Sequence, residues 1–273
     1  MSRSLRKSGP GVRGERYSIA VWWLSKSARR RRWLARRPIP DDAWREVAAG
    51  IACLDRLGPA DERRLFDFAT LFVHEKEIEP CGAEVDDLLR YTIALQASVL
   101  VLGIGYDALA GVRRVLVYPG GFRARRTFVD EIGVVHDGDE DLLGEAWDEG
   151  HVLLNREDVL DGSAVRDGWN LVLHECSHLL DLATGEPDGV PPLPAGVDAA
   201  HWRATFAAAA EDLDRRDERG EHTPIDPYAA EDPAETFAVF TESFFEIPDV
   251  VRAAYPACYE LLVAFYRQDP AGG

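Results

Sequence analysis

Apolar residues recur at helical spacing over Asp41–Leu57, Ala60–Lys76 and Glu84–Leu100, and each stretch predicts an amphipathic helix. Short apolar runs bounded by turn residues predict strands at Val115–Tyr118, Gly133–His136 and Val152–Asn155, with an acidic loop, Asp137–Asp141, between the last two. Helical spacing returns over Ala164–Ala183, Ala199–Asp217, Pro233–Glu246 and Tyr255–Tyr266. The stretch Gly185–Val197, rich in proline and glycine, cannot continue a helix and reads as a loop, either a cleft wall or a plain connector. The expected fold class is α+β, mainly helical, with a small sheet beside the 164–183 helix.

That helix contains His174-Glu175-Cys176-Ser177-His178, an H-E-x-x-H pattern. Side chains four apart stack on one helix face, so both imidazoles can reach one tetrahedral zinc while Glu175 points at the open coordination position. On a helical wheel Asn170, His178 and Asp181 fall within about 40° of His174, while Val172, Cys176, Leu179 and Leu180 fall on the other side. One stripe is therefore polar and competent for metal, and the other is core. Asp181 is placed to accept a hydrogen bond from a ligand imidazole and fix its tautomer, and Cys176 reads as a packed residue. His74 closes a helix, and His136 and His151 flank the strand region; none of the three reads as a ligand.

A catalytic zinc keeps three protein ligands and one water, so a third donor is needed. The best candidate is Glu235, in a segment where Asp232 reads as an N-cap, Pro233 as the first helical residue, and Phe237, Phe240 and Phe244 as the apolar face. Glu235 and Glu242 share the opposite face with Val239. The same residues also form a capping box, in which Glu235 would only bond the backbone of Asp232. Spacing alone leaves both readings open.

The helix HECSHLLD, the segment YAAEDPAETFAVFTESFF and the tail FYRQDP resemble the Mlc titration factor A family of bacterial zinc peptidases. RRVLVYPGGF, GVVHD followed by LLGEAW, and DGWNLVLHE extend the resemblance from about residue 39 to about residue 270. It implies a zincin of the glutamate-ligand type with one Zn2+ per chain, held by His174, His178 and Glu235, with Glu175 as the catalytic base. The architecture it implies is similar to the catalytic part of a bacterial toxin metalloprotease. There a tyrosine seven positions before the glutamate ligand helps stabilise the transition state, and Tyr228 stands seven before Glu235; the alternative for Tyr228 is packing at the entry to the Glu235 helix. Two departures stand out. Cys176-Ser177 replaces the usual apolar or small motif interior, and Val239 occupies the position four after the glutamate where such zincins place an aspartate. Glu242 then either substitutes as the orienting carboxylate or lies on a solvated face. The activity implied is zinc-dependent peptide hydrolysis, aminopeptidase-like on short peptides. The alternative is a regulator that binds and sequesters a transcriptional repressor of sugar uptake.

Charge divides the chain. Residues 1–37 carry 12 Lys and Arg against one acid, Glu15, whereas the remainder carries 19 basic and 47 acidic residues, giving −17 in all. We expect a basic flexible extension over 1–37 and a zincin-like peptidase domain over 38–273, with a helical part at 41–110 and the zinc-site part at 111–270. An acidic body excludes nucleic-acid binding by the main domain, because phosphate contact needs a basic face. In the extension, Ile19–Leu24 is too short an apolar run to span a membrane, and no small-residue cleavage site follows it. Its Trp22, Trp23 and Trp33 among arginines suit an anionic membrane surface, a nucleic acid, the acidic body or a solvated tail. Met1 is the only methionine, and Val21 is a candidate alternative start. Cys53, Cys81, Cys176 and Cys258 are widely spaced without a C-x-x-C pair and read as reduced thiols of a cytoplasmic protein.

Overall fold

The computed structural model describes residues 15–36, 39–119, 128–129, 135–136 and 150–272. By its contacts the chain divides into two units, residues 1–38 and 39–273. In the first, helix α1 occupies Glu15–Arg36, inside the segment expected to be flexible, and the guanidinium of Arg29 lies 5.2 Å from the ring centre of Trp33, one turn on. Among the described residues no helix is long and apolar enough to cross a membrane.

The second unit begins with α2 (Asp41–Ala48), α3 (Pro59–Glu75), β1 (Glu77–Pro80) and α4 (Asp87–Leu100). Strands β2 (Arg114–Tyr118), β3 (Phe128–Val129), β4 (Val135–His136) and β5 (His151–Asn155) follow. It closes with α5 (Arg156–Ala164), α6 (Leu171–Asp181), α7 (Ala199–Glu218), α8 (Pro233–Glu246), α9 (Pro248–Ala254) and α10 (Pro256–Tyr266). Residues 41–110 and 111–270 thus belong to one unit, mainly helical with a small sheet, in the α+β class.

Strands β1, β2 and β5 form a parallel sheet with β2 in the middle, pairing Ile78 with Val115, Val115 with Val152 and Val117 with Leu154. These inward residues are buried, and β5 packs against α6, so the sheet lies beside the H-E-x-x-H helix as expected. Edge strand β1 went unanticipated: in Glu77-Ile-Glu-Pro80 only Ile78 is buried, too short an alternation to read as a strand. Strands β3 and β4 pair antiparallel, Phe128 opposite His136, and include the end of the strand expected at Gly133–His136. The acidic loop expected at Asp137–Asp141 lies outside the described residues.

Two expected helices are shorter than the pattern suggested. The first stops at Ala48, and after Gly50 the buried Ile51 adopts extended backbone before a 3-10 turn at Ala52–Leu54. The helix expected over 164–183 forms only from Leu171 to Asp181, as α6, because α5 ends at Ala164 and a turn around Gly168 separates the two. Gly168 has φ +92°, and a Cβ there would sit 2.7 Å from Ile247 Cδ1, so the chain must break at this point. Asn170 then caps α6 by accepting from the backbone N–H of Leu173, 3.1 Å away.

Helix α8 lies inside the unit, buried from Ala234 to Glu246. Its apolar side carries Phe237, Phe240 and Phe244, which meet Trp202 and Phe206 of α7 and Phe265 and Tyr266 of α10 at ring-centre distances of 5.3–6.5 Å. This aromatic cluster fixes the height and rotation of α8, and its polar side packs against α6.

Candidate metal centre

Helices α6 and α8 bring His174, His178 and Glu235 together, and all three are buried. Nε2 of His174 and Nε2 of His178 are 3.2 Å apart; Glu235 places Oε2 3.2 Å from the first and Oε1 3.4 Å from the second. Two donors bonded at about 2.0–2.1 Å to one tetrahedral ion stand about 3.3 Å from each other. The spacing of these donor atoms therefore matches a single small cation at their centre.

The tautomer of His174 supports the same reading. Its Nδ1 lies 2.8 Å from Oε1 of Glu242, and an ionised carboxylate only accepts hydrogen bonds. The ring hydrogen thus sits on Nδ1, and in the neutral ring the Nε2 lone pair faces His178 and Glu235. Without a cation such a cluster must recruit a proton. Burial pushes the His174 pKa down, but the charge of Glu242 and the bonds to Glu235 and Glu242 outweigh it and raise it to about 10. Burial likewise pushes Glu235 up, and its bonds to His174 and His178 reverse this and hold it well below the ordinary carboxylate range. Both shifts describe a site built around positive charge.

The local sequence explains how Glu235 arrives. Asp232 caps α8 by accepting from the backbone N–H of Ala234 at 2.7 Å and of Glu235 at 2.9 Å. The capping aspartate thus serves the backbone of the first turn, while the Glu235 side chain is turned to the imidazoles instead of back to Asp232. Glu242, two turns further, is fully buried on the same side; its second oxygen accepts from the backbone N–H of Asn170. Val239, between them, is buried and apolar.

Asp181 does something other than expected. It gives an oxygen to the backbone N–H of Gly189, 2.7 Å away, and not to a ligand imidazole, because at the last turn of α6 it meets the returning loop. Burial, partly offset by that bond, raises its pKa to about 6. Glu175 is buried between the two histidines on α6. Tyr228 is half-exposed in a 3-10 turn, Pro227–Ala230, that packs on the first turn of α8, where the Thr236 hydroxyl donates to the carbonyl of Ala229 at 2.7 Å. Cys176 packs in the core, where burial raises its thiol to about 12. His74 is exposed and His151 is half-buried at the start of β5.

The sequence places Asn170 on the stripe of His174 but points neither to its partner nor to Glu246. The Asn170 side-chain amide donates to Oε1 of Glu246 at 3.0 Å, while the same side chain's oxygen caps α6. Their signal was present: a glutamate one turn past Glu242 on the polar stripe of α8, and an asparagine on the ligand stripe of α6.

An H-E-x-x-H helix facing a glutamate from a second buried helix, in a mainly helical α+β unit, is the arrangement of a metallopeptidase family. The chain belongs to the family of glucose-regulated metallo-peptidases M90, whose model matches residues 25–267. Among its relatives, Mlc titration factor A of Pectobacterium atrosepticum is 38% identical over 230 residues, covering 82% of this chain and 86% of that protein. Mlc titration factor A of Yersinia pestis is 35% identical over 244 residues, covering 87% and 89%.

Proposed function

We propose that this protein is a zinc-dependent peptidase, aminopeptidase-like on short peptides, in which His174, His178 and Glu235 hold one Zn2+. The observation that carries the proposal is the convergence of three donors at tetrahedral spacing, with Glu175 between the two histidines on the same helix. Two imidazoles and a carboxylate suit zinc among the divalent metals. Bound there, zinc supplies a water acidified to a pKa of about 7 and a Lewis acid for the scissile carbonyl. Glu175 takes the proton as water attacks and returns it to the leaving amine. Tyr228 donates a phenolic hydrogen bond where negative charge develops on the oxygen. Glu242 holds His174 in the Nδ1–H tautomer throughout. The free cysteines agree with a cytoplasmic protein.

The test is hydrolysis of a mixed fluorogenic peptide pool by the zinc-loaded protein. Glu175→Gln is expected to keep its metal and lose turnover by about 10²–10⁴-fold, and Tyr228→Phe to lose about 10²-fold in kcat with little change in KM. Equal, negligible rates in the wild type and Glu175→Gln would refute the peptidase. A second reading is favoured by the name of the relatives: this chain binds and sequesters a transcriptional repressor of sugar uptake. It requires repressor binding to survive Glu175→Gln.

A further inference from the structure

A cavity of about 600 Å³ lies between α7, the first turn of α8 and the loop that follows α6. Its floor is apolar and largely sequestered: Val190, Trp202 and Phe206, with the aliphatic side of Thr236. Its rim is acidic. Glu211, Asp214 and Glu231 are exposed there and make no ion pair among the described residues, and the one guanidinium on the rim, Arg203, is already paired with Asp188. Charge at the rim is thus uncompensated, over a pocket large enough for a bulky side chain.

The cavity is joined to the metal centre through the backbone. Pro233 and Thr236 line it, and Glu235, between them, is the carboxylate of the cluster. The loop wall is fixed from both sides, since Trp202 Nε1 donates to the Gly189 carbonyl at 2.8 Å and Gly189 N donates to Asp181 of α6. Asp188, Val190 and Arg203 also border a second cleft of about 460 Å³ along the same loop, so the surface continues beyond one side chain.

We infer that this groove is a recognition site for an extended polypeptide carrying a bulky apolar residue flanked by lysine or arginine, and that it selects the substrate of the proposed peptidase. The inference rests on that reading for the word substrate, but its central test needs no turnover. An apolar floor takes the central side chain, and three exposed carboxylates with no ion pair among the described residues attract the flanking cations, a division of roles common to peptide grooves.

The full chain carrying Glu175→Gln, zinc-loaded, would be titrated with a labelled peptide in which one tryptophan stands between arginines, read by fluorescence anisotropy. The same peptide with glutamates for arginines is the comparison. The basic peptide is expected to bind, more weakly as salt rises, and the acidic one not to bind. Adding Glu211→Gln, Asp214→Asn and Glu231→Gln, all exposed positions, should weaken binding by about tenfold or more. Neutralising Glu157 and Asp161 on α5 should leave it unchanged. Ala210→Arg, which both fills the cavity and reverses its charge, should abolish it. In the Glu175-intact enzyme the rim variant should raise KM for basic-flanked peptides and leave kcat alone. Absence of binding, or equal affinity for both peptides or for the rim and α5 variants, overturns the groove. Turnover without a preference for basic flanks also overturns it while leaving the peptidase standing; rim-dependent binding with no wild-type turnover supports the groove and overturns the peptidase.

Discussion

Glu242→Gln is the substitution on which the reading of the metal centre bears most directly. Glutamine keeps the size of the buried side chain and replaces one acceptor oxygen with a donor. The two groups facing Glu242 are the His174 Nδ1, 2.8 Å from Oε1, and the backbone N–H of Asn170, at the other oxygen. Asn170 N–H is a donor in every state, so the glutamine oxygen must turn to it. The amide NH2 then faces His174 Nδ1, which can accept only in the opposite tautomer, and that tautomer places a hydrogen on Nε2 where the lone pair should meet the metal. Either the ring keeps its ligating tautomer and two buried donors confront each other, at about 1–3 kcal/mol, or ligation weakens. Both routes converge on a 10–100-fold loss of metal affinity, about 1.4–2.7 kcal/mol. Competition with a chromophoric chelator measures it directly, and the apo melting temperature reports whether the fold has survived. An affinity within about twofold of wild type, in a folded protein, would refute the claim that Glu242 sets the tautomer of His174.

Three further outcomes are expected. Because the metal-free cluster holds a proton on His174 with a pKa near 10, metal must displace it, so affinity should rise about tenfold per pH unit from pH 6 to 9, with about one proton released; titration calorimetry in two buffers of different ionisation enthalpy tests this. Burial raises the Glu246 pKa from 4.5 to about 7 against the lowering effect of its Asn170 bond, so the stability of the neutral form is fully present below pH 4.5 and is lost as pH rises through 7. Glu246→Gln should gain up to about 3 kcal/mol on the wild type between pH 5 and 8 in urea unfolding of metal-free protein, and a parallel pH dependence would contradict it. Asn170→Ala removes the cap of α6 and its bond to Glu246, and should destabilise by about 1–3 kcal/mol and weaken metal binding, whereas Asn170→Ser, which restores the cap alone, should recover only about 1 kcal/mol.

The elements best read from sequence are those whose start signals agree with their periodicity. Asp232-Pro233 followed by phenylalanines at 237, 240 and 244 marks α8 to the residue, because capping, the proline and the apolar face all specify one helix. Helix α6 starts seven residues later than its expected bound because Gly168, with φ +92° and Ile247 from far along the chain where a Cβ would sit, interrupts the segment Val165–Trp169, and a contact so distant in sequence leaves no local signal. Asp181 fell on the ligand stripe of the wheel, yet a wheel carries no information about the loop that returns to offer Gly189 N. The role of Glu242 was one of two open readings, and its burial against His174 selects between them. The network from Asn170 to Glu246 joins helices more than seventy residues apart, and no local pattern encodes such a contact.

Helix α8 has a phenylalanine side that sits in the aromatic cluster and a glutamate side that faces α6. A rigid rod held this way behaves as a lever: a methylene gained or lost among Phe237, Phe240 and Phe265 displaces Glu235 and Glu242 on the far side, where a few tenths of an ångström matter to coordination. Conservative changes in this core should therefore show first as altered metal affinity, before any fall in melting temperature. The packing of the aromatic side then acts as the calibration of the centre, so a variant with a sound fold and a failing site is to be sought among its phenylalanines as well as its ligands.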